Sequence, residues 1–310
     1  MKKVFIDGSA GTTGLRIKER LESRRDIELI SIKEEDRKDI NARKKALNEA
    51  DIAFLCLPDA AAIEAVSLID NENTVVLDTS TAHRTNSAWA YGFPELSKEH
   101  LEKIKKSKRI AVPGCHASGF IALVYPLIEK GILPKSALLS CTSLTGYSGG
   151  GKKMIAEYED FELNTELEAP RQYGILQKHK HLPEMKSISG IENEPLFLPI
   201  VGNFYSGMEV TVPLFKSQLN DGFTLEDIKQ AYKEKYSGSI VKYIENFDEN
   251  GFVTANKLSF KDSMEISVSG NEDRILLFSR YDNLGKGASG AAVECMNIVL
   301  GTDETLGLDL

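Results

Sequence analysis

Cys115 has the setting of a reactive thiol. It lies in Val112-Pro113-Gly114-Cys115-His116-Ala117-Ser118-Gly119. The apolar run 110–112 reads as a short buried strand, Pro113-Gly114 ends it, and the apolar-rich stretch 119–128 reads as a helix. The thiol therefore falls at a strand-to-helix turn, at or near the helix N-terminus. Free N–H groups and the positive end of the helix dipole favour an anion there, and a thiol so placed reacts as thiolate. The plain alternative is a small buried cysteine closing a turn. A nucleophile also needs a base. Two of the five histidines stand in Gln177-Lys178-His179-Lys180-His181-Leu182-Pro183-Glu184. Their spacing suits a metal, but no cysteine or third histidine is near, so no metal is expected. An imidazole of His181 or His179 taking the thiol proton fits better, with Glu184 orienting the ring. The spacing does not order the two histidines, and taken alone the stretch reads as an exposed basic loop. His116 adjoins the thiol, but consecutive side chains do not face each other on a helix.

The chemistry needs elements to hold it, and the N-terminal part supplies a nucleotide-binding pattern. A strand at 3–7 runs into Gly8-Ser9-Ala10-Gly11-Thr12-Thr13-Gly14, and Leu15, Ile17 and Leu21 then mark a helix. Glycines in a strand–loop–helix context let a pyrophosphate approach the backbone at the helix N-terminus. The spacing is GxxGxxG rather than GxGxxG; the alternative is a plain tight turn. The second strand, 27–32, ends in Ser31-Ile32-Lys33 with Arg37 following. Basic residues there favour NADP over NAD, although Glu34, Glu35 and Asp36 stand among them and all could be solvated loop charges. A further apolar strand, 52–57, closes on Leu57-Pro58, with Asp59 placed to cap a helix to 69. Another, 74–77, leads into Asp78-Thr79-Ser80-Thr81-Ala82-His83-Arg84. Alternating strands and helices predict a doubly wound parallel sheet, whose ligands bind beyond the carboxyl ends of the strands. Leu57, Pro58, Ser80 and Cys115 all fall at such ends.

Downstream the pattern changes. A strand at 137–144 precedes a second glycine-rich loop, Gly146-Tyr147-Ser148-Gly149-Gly150-Gly151-Lys152-Lys153, which reads as a ligand loop or a hinge. Runs at 196–201, 209–215, 240–244, 265–268 and 275–281 read as strands, and 224–236 as an amphipathic helix. This predicts an α/β Rossmann-like domain over 1–114, then an α+β catalytic and oligomerisation domain over 115–286 on a largely antiparallel sheet. The C-terminal helix, 287–301, is expected to return to the first domain. A chain of 310 residues suits two domains. Its net charge of −8 with dispersed basic residues excludes a nucleic-acid footprint. No run approaches a membrane span of about 20 apolar residues, and the N-terminal apolar run is too short for a signal peptide. The four cysteines show no CxxC spacing, so neither zinc nor a disulfide framework is expected and the protein reads as cytoplasmic.

In order along the chain, GSAGTTG, FLCLPDAAA, DTSTAHRT, YGFPEL, VPGCHASGF, TGYSGGGKK, KHKHLPE and DNLGKGASGAA resemble the shorter form of the N-acetyl-gamma-glutamyl-phosphate reductases. These are relatives of the aspartate-semialdehyde dehydrogenases. The resemblance spans nearly the whole chain. It implies NADPH-dependent reduction of an acyl phosphate to an aldehyde through a Cys115 thioester, as a step of arginine biosynthesis. It places the cofactor over Gly8 to Gly14, with Leu57, Pro58, Ser80, Ser148, Gly149, Gly150 and Asn283 against its other parts. It makes Arg84 and Lys152 the candidate cations for the substrate's phosphate and carboxylate, and it implies a homodimer or homotetramer. The rival readings are another acyl phosphate reductase, such as an aspartate-semialdehyde dehydrogenase, and a nucleotide-binding regulator without catalysis.

Overall fold

Short apolar strands alternating with helices build the first part of the chain. In the computed structural model, which describes residues 1–160 and 165–310, the chain divides into two compact units. One comprises 1–114 and 288–308, the other 115–287 and 309–310. The first unit holds β1 (Lys2–Asp7), α1 (Thr12–Glu22), β2 (Ile27–Ile30), α2 (Ile40–Glu49), β3 (Ile52–Leu55), α3 (Asp59–Ser67), β4 (Val75–Asp78), β5 (Ala90–Tyr91), α4 (Lys98–Lys106) and β6 (Arg109–Ala111). The six strands pair in parallel in the order β2-β1-β3-β4-β6-β5. Burial on both faces explains the unbroken apolar runs. On β1, Val4 and Ile6 point to Ile17 and Leu21 of α1, Ile104 of α4 and the chain's last helix, Gly290–Leu300. Phe5 points the other way, to Ala46 and Leu47 of α2 and Ala62 and Ala65 of α3. The last helix thus completes the first unit. Its Asn297 accepts from the Arg24 guanidinium at 2.8 Å, and its amide donates to the carbonyls of Glu304 and Leu306.

Two local expectations are corrected here. Pro58, not Asp59, occupies the N-cap of α3. The Asp59 carboxylate looks instead across to the loop after β4, where it accepts from the Thr81 N–H and hydroxyl. The second strand stops at Ile30, so residues 31–33 belong to the loop.

The second unit holds α5 (Cys115–Glu129), β7 (Ser140–Gly146), α6 (Gly151–Glu159), β8 (Arg171–Gln172), α7 (Leu182–Ser189), β9 (Leu196–Gly202), β10 (Met208–Phe215), α8 (Leu225–Lys235), β11 (Val241–Tyr243), β12 (Met264–Gly270) and β13 (Arg274–Tyr281). The strand order is β11-β12-β13-β10-β7-β9-β8. Pairing is antiparallel except between β7 and β9 and between β11 and β12. The strand expected at 137–144 starts three residues later, because Ala137 is still tied into a turn by its N–H on the Pro134 carbonyl. One face of the sheet is covered by α5 and α8, with α7 against α5. α5 carries Pro126 in its interior, which removes the N–H that the Ala122 carbonyl would accept. The Tyr236 hydroxyl on α8's C-cap replaces it at 2.6 Å. On the other face β10 shows Glu209, Thr211, Pro213 and Phe215 in alternation, and Phe215, Leu196 and Leu276 stand exposed there.

Candidate active site

Cys115 is the first residue of α5, so the chain enters the helix at the thiol itself rather than four residues later. It is partly exposed, whereas Cys141 and Cys295 are buried. Burial pushes the Cys56 thiol up to about 12 and the Cys141 thiol higher still, which leaves both inert at neutral pH.

The loop and helix after β8 bring the distant histidines to the head of α5. Gln177, with φ near +52°, accepts from the Phe197 N–H at 2.9 Å and donates to the Phe197 carbonyl at 2.7 Å. Its amide completes a two-way bond to β9 and anchors the turn there. The rings of His179 and His181 then lie 5.7 and 5.6 Å from the ring of His116, and 4.8 Å from each other. Phe197 closes the cluster, 5.3 Å from His116 and 5.1 Å from His179. His181 is the N-cap of α7, with Pro183 in the first turn, and buried Glu184 follows in that turn. The stretch 177–184 therefore does not stay a loop throughout: a helix starts at Leu182, and Pro183, tolerated in the first turn of a helix, is the signal for it in the sequence.

The three rings are held differently. His116 is buried, with Nδ1 2.7 Å from the Ser143 hydroxyl and Nε2 2.6 Å from the Tyr173 hydroxyl. Burial, reinforced by His179, lowers its pKa to about 3, so it is neutral at working pH. His179 accepts the His181 N–H on Nδ1 at 3.3 Å, so its neutral ring carries the proton on Nε2. Burial and then Lys180 lower its pKa as well. Burial and the nearby Cys115 push the Tyr173 phenol well up, so it keeps its proton. Neither Tyr173 nor Ser143 was singled out from sequence: each lies tens of residues from Cys115, in no motif that marks it.

The second glycine loop is tied to the end of β13. Asn283 accepts the Gly207 N–H at 2.9 Å and donates to the buried Ser148 hydroxyl at 3.0 Å. Gly149 and Gly150 are exposed beyond it, and Lys152 is exposed on the first turn of α6.

In the first unit the glycine loop is shaped for close approach. Gly8 has φ near +87°, and a Cβ there would collide with the Cys56 carbonyl. A Cβ at Gly14 would collide with the Gly8 carbonyl. Gly11 is the N-cap of α1 and offers no side chain to the helix's leading N–H groups, which leaves them for an anion. Beside the loop lies a cavity of about 360 Å³, lined by Gly8, Ser9, Ala10, Ser31, Arg37 and Leu57. Lys18, Lys38 and Arg43, which were not anticipated, line it too. Lys33 does not; its side chain is 79% exposed and stands 4.0 Å from the Glu35 carboxylate. Arg37 pairs with Glu34 at 2.6 Å. Arg43 bonds Asp7 and Glu64, and burial pushes the Asp7 carboxyl up despite that partner. Thr12 and Thr13 open α1, and Pro58 is exposed at the end of the β3 loop. Ser80 is buried and donates to Asp78, which also bonds His83 at 2.6 Å. Arg84 is buried and donates to the Val112 and Thr79 carbonyls. Among the described residues no cluster of His, Cys, Asp or Glu is arranged to hold a metal. No helix among them is long and apolar enough to cross a membrane.

The parallel nucleotide-type sheet and the mixed sheet headed by the Cys115 helix correspond to the two domains of a class of dehydrogenases. Residues 3–104 match the family description "Semialdehyde dehydrogenase, NAD binding domain", and residues 115–283 match "Semialdehyde dehydrogenase, dimerisation domain". An aspartate semialdehyde dehydrogenase from Francisella tularensis shares the fold at a TM-score of 0.72 with 14% identity, over 97% of this chain and 100% of the other. The Candida albicans enzyme, solved with NADP, aligns at 0.65 with 14% identity over 99% of each chain. The chain belongs to the semialdehyde dehydrogenase family. Its full-length relatives include the N-acetyl-gamma-glutamyl-phosphate reductase 2 of a Nostoc species, 44% identical over 99% of both chains. The N-acetyl-gamma-glutamyl-phosphate reductase of Brucella ovis is 45% identical over 96% of this chain and 99% of its own.

Proposed function

We propose that the protein reduces N-acetyl-gamma-glutamyl phosphate to N-acetylglutamate semialdehyde, with NADPH as reductant and release of phosphate, in arginine biosynthesis. The observation that carries the reading is Cys115 at the head of α5 with His179 and His181 folded to within 6 Å of the adjoining ring. The Cys115 thiolate attacks the acyl carbonyl, the bond to phosphate breaks, and a thioester forms on the sulfur. When bound, NADPH supplies the hydride that turns the thioester into a thiohemiacetal. The thiohemiacetal oxygen takes a proton and then loses it as the C–S bond breaks, which frees the aldehyde and restores the thiolate. N–H groups at the head of α5 steady the oxyanion, each worth roughly 3 kcal/mol where such donors have been removed. His181 is the base for the thiol. His179 already carries its proton on Nε2 and serves as hydrogen-bond donor, with Glu184 supporting the pair from the first turn of α7. His116 has both nitrogens engaged and is excluded as the base.

The glycine cradle and cavity of the first unit fit a dinucleotide, because side chains at Gly8 and Gly14 would fill the space. Arg37, with Lys18 and Lys38 on the same cavity, suits a 2′-phosphate. Leu57, Ser80 and the Ser148–Gly150 loop are assigned to the rest of the cofactor, and Asn283 acts by holding Ser148. Arg84 is the better substrate cation, since its backbone bonds fix its guanidinium; Lys152 is exposed and less constrained. The exposed apolar face carrying Leu196, Phe215 and Leu276 pairs with a second copy, which makes the protein a homo-oligomer; the relatives' biosynthetic role supports a place in the cytoplasm. The test is a coupled assay in the oxidative direction with N-acetylglutamate semialdehyde or aspartate semialdehyde, phosphate, and NADP+ or NAD+. The N-acetylated substrate should be preferred, and NADP+ should exceed NAD+ by about tenfold, the value of one charged phosphate contact. Preference for aspartate semialdehyde would make the chain an aspartate-semialdehyde dehydrogenase instead.

A further inference from the structure

We propose that Tyr281 is a positioning residue for Cys115, its hydroxyl spliced into the first turn of α5 so that β13 fixes where the thiol stands. The inference rests on the reading of Cys115 as nucleophile. In an unbroken α-helix the Cys115 carbonyl would accept the Gly119 N–H directly. Here the Gly119 N–H donates to the Tyr281 oxygen at 3.0 Å, and the Tyr281 hydroxyl donates to the Cys115 carbonyl at 2.6 Å. Both helix groups stay satisfied, but through a side chain of the sheet. A group inserted into the i→i−4 ladder bends a helix, and this one enters at the residue that carries the sulfur.

The surroundings are built for the insertion. A Cβ on Gly119 would lie 2.5 Å from the Ser279 hydroxyl, 2.6 Å from the Tyr281 hydroxyl and 2.7 Å from a Val210 methyl. A side chain at 119 would therefore force the phenol, the Ser279 hydroxyl or the Val210 methyl to shift. Gly287 also packs close: a Cβ there would stand 3.0 Å from the Asp282 carbonyl, 3.2 Å from the Cys115 Cβ and 3.4 Å from the Tyr281 ring. The next residue, Asp282, anchors the phenol's backbone. Its carboxylate accepts from the Leu284, Gly285 and Phe260 N–H groups and from the Ser206 hydroxyl. Burial, with Cys115 adding to it, pushes the Tyr281 pKa well up, so the hydroxyl keeps the proton it donates.

A plain packing role and a positioning role diverge when the hydroxyl is removed and the ring kept. In Tyr281→Phe the Cys115 carbonyl and Gly119 N–H can bond each other, closing the turn and shifting the head of α5. A misplacement of about 1 Å in a reacting group costs on the order of 10²-fold in rate. Full-length Tyr281→Phe should therefore lose roughly 10- to 100-fold in kcat with an unchanged KM, the signature of an interaction that matters in the transition state. The pH midpoint of Cys115 alkylation by iodoacetamide should move upward. Gly119→Ala, which places a methyl against the same phenol, should repeat both effects. Unchanged kcat and an unchanged alkylation midpoint in Tyr281→Phe, with only a lower Tm, would overturn the inference. Run beside it, an inactive Cys115→Ser enzyme confines that failure to Tyr281. A fully active Cys115→Ser enzyme overturns the reading beneath it and this inference together.

Discussion

His116 commits both ring nitrogens, one to Ser143 and one to Tyr173, and burial holds its pKa near 3. A ring that stays neutral cannot lend positive charge to a thiolate. The partner that lowers the thiol pKa must come from elsewhere, because a surface helix dipole is worth only about 0.3–1 kcal/mol, less than one pKa unit at ~1.36 kcal/mol each. An imidazolium neighbour lowers a cysteine pKa by several units. The pH dependence of Cys115 alkylation separates His181 from His116. His181→Ala should raise the apparent thiol pKa by about 1 unit or more, so the reactive fraction at neutral pH falls. His116→Asn should leave the midpoint in place. A rise confined to the His116 variant would remove the KHKHLPE turn from the chemistry. At this scale Cys115 was legible because Pro113-Gly114 before it and an apolar run after it define a turn. Tyr173, Ser143 and Tyr281 were not, because their meaning comes from hydrogen bonds to residues 27 to 166 positions away.

Elements with their own start signals were the readable ones. The strand, three glycines and amphipathic α1 follow one another directly, and the Thr224 cap with Asp227 marks the start of α8. α4 and α7 were missed: α4 is a charge-rich helix with one buried residue, Ile104, and α7 is an eight-residue helix hidden behind a motif read for its histidines. The seven-stranded sheet carries the element-scale prediction. Its inner face is covered by helices, while Leu196, Phe215 and Leu276 stand 56%, 62% and 37% exposed on the other. An apolar sheet face of this kind is a partner site or an aggregation hazard. Leu196→Asp with Phe215→Asp should shift the protein to a smaller species in analytical ultracentrifugation at micromolar concentration. If the wild-type chain sediments as a monomer there, the assignment of that face to a second copy is wrong.

For the molecule as a whole, alternation of strands and helices announced the parallel sheet, since each βαβ step is local. The order β11-β12-β13-β10-β7-β9-β8 was not readable, because it joins strands far apart in the chain. The same remoteness explains why three histidines spread over residues 116–181 form one cluster that spacing could not order. The central claim is covalent: an acyl group passes through the Cys115 sulfur. The most direct measurement mixes the enzyme with the acyl phosphate in the absence of NADPH and maps the product by peptide mass spectrometry. The account predicts stoichiometric phosphate release and an acyl adduct on the peptide containing Cys115, removed by hydroxylamine and absent from Cys115→Ser. Full turnover by Cys115→Ser, with no adduct on the wild-type peptide, would contradict it.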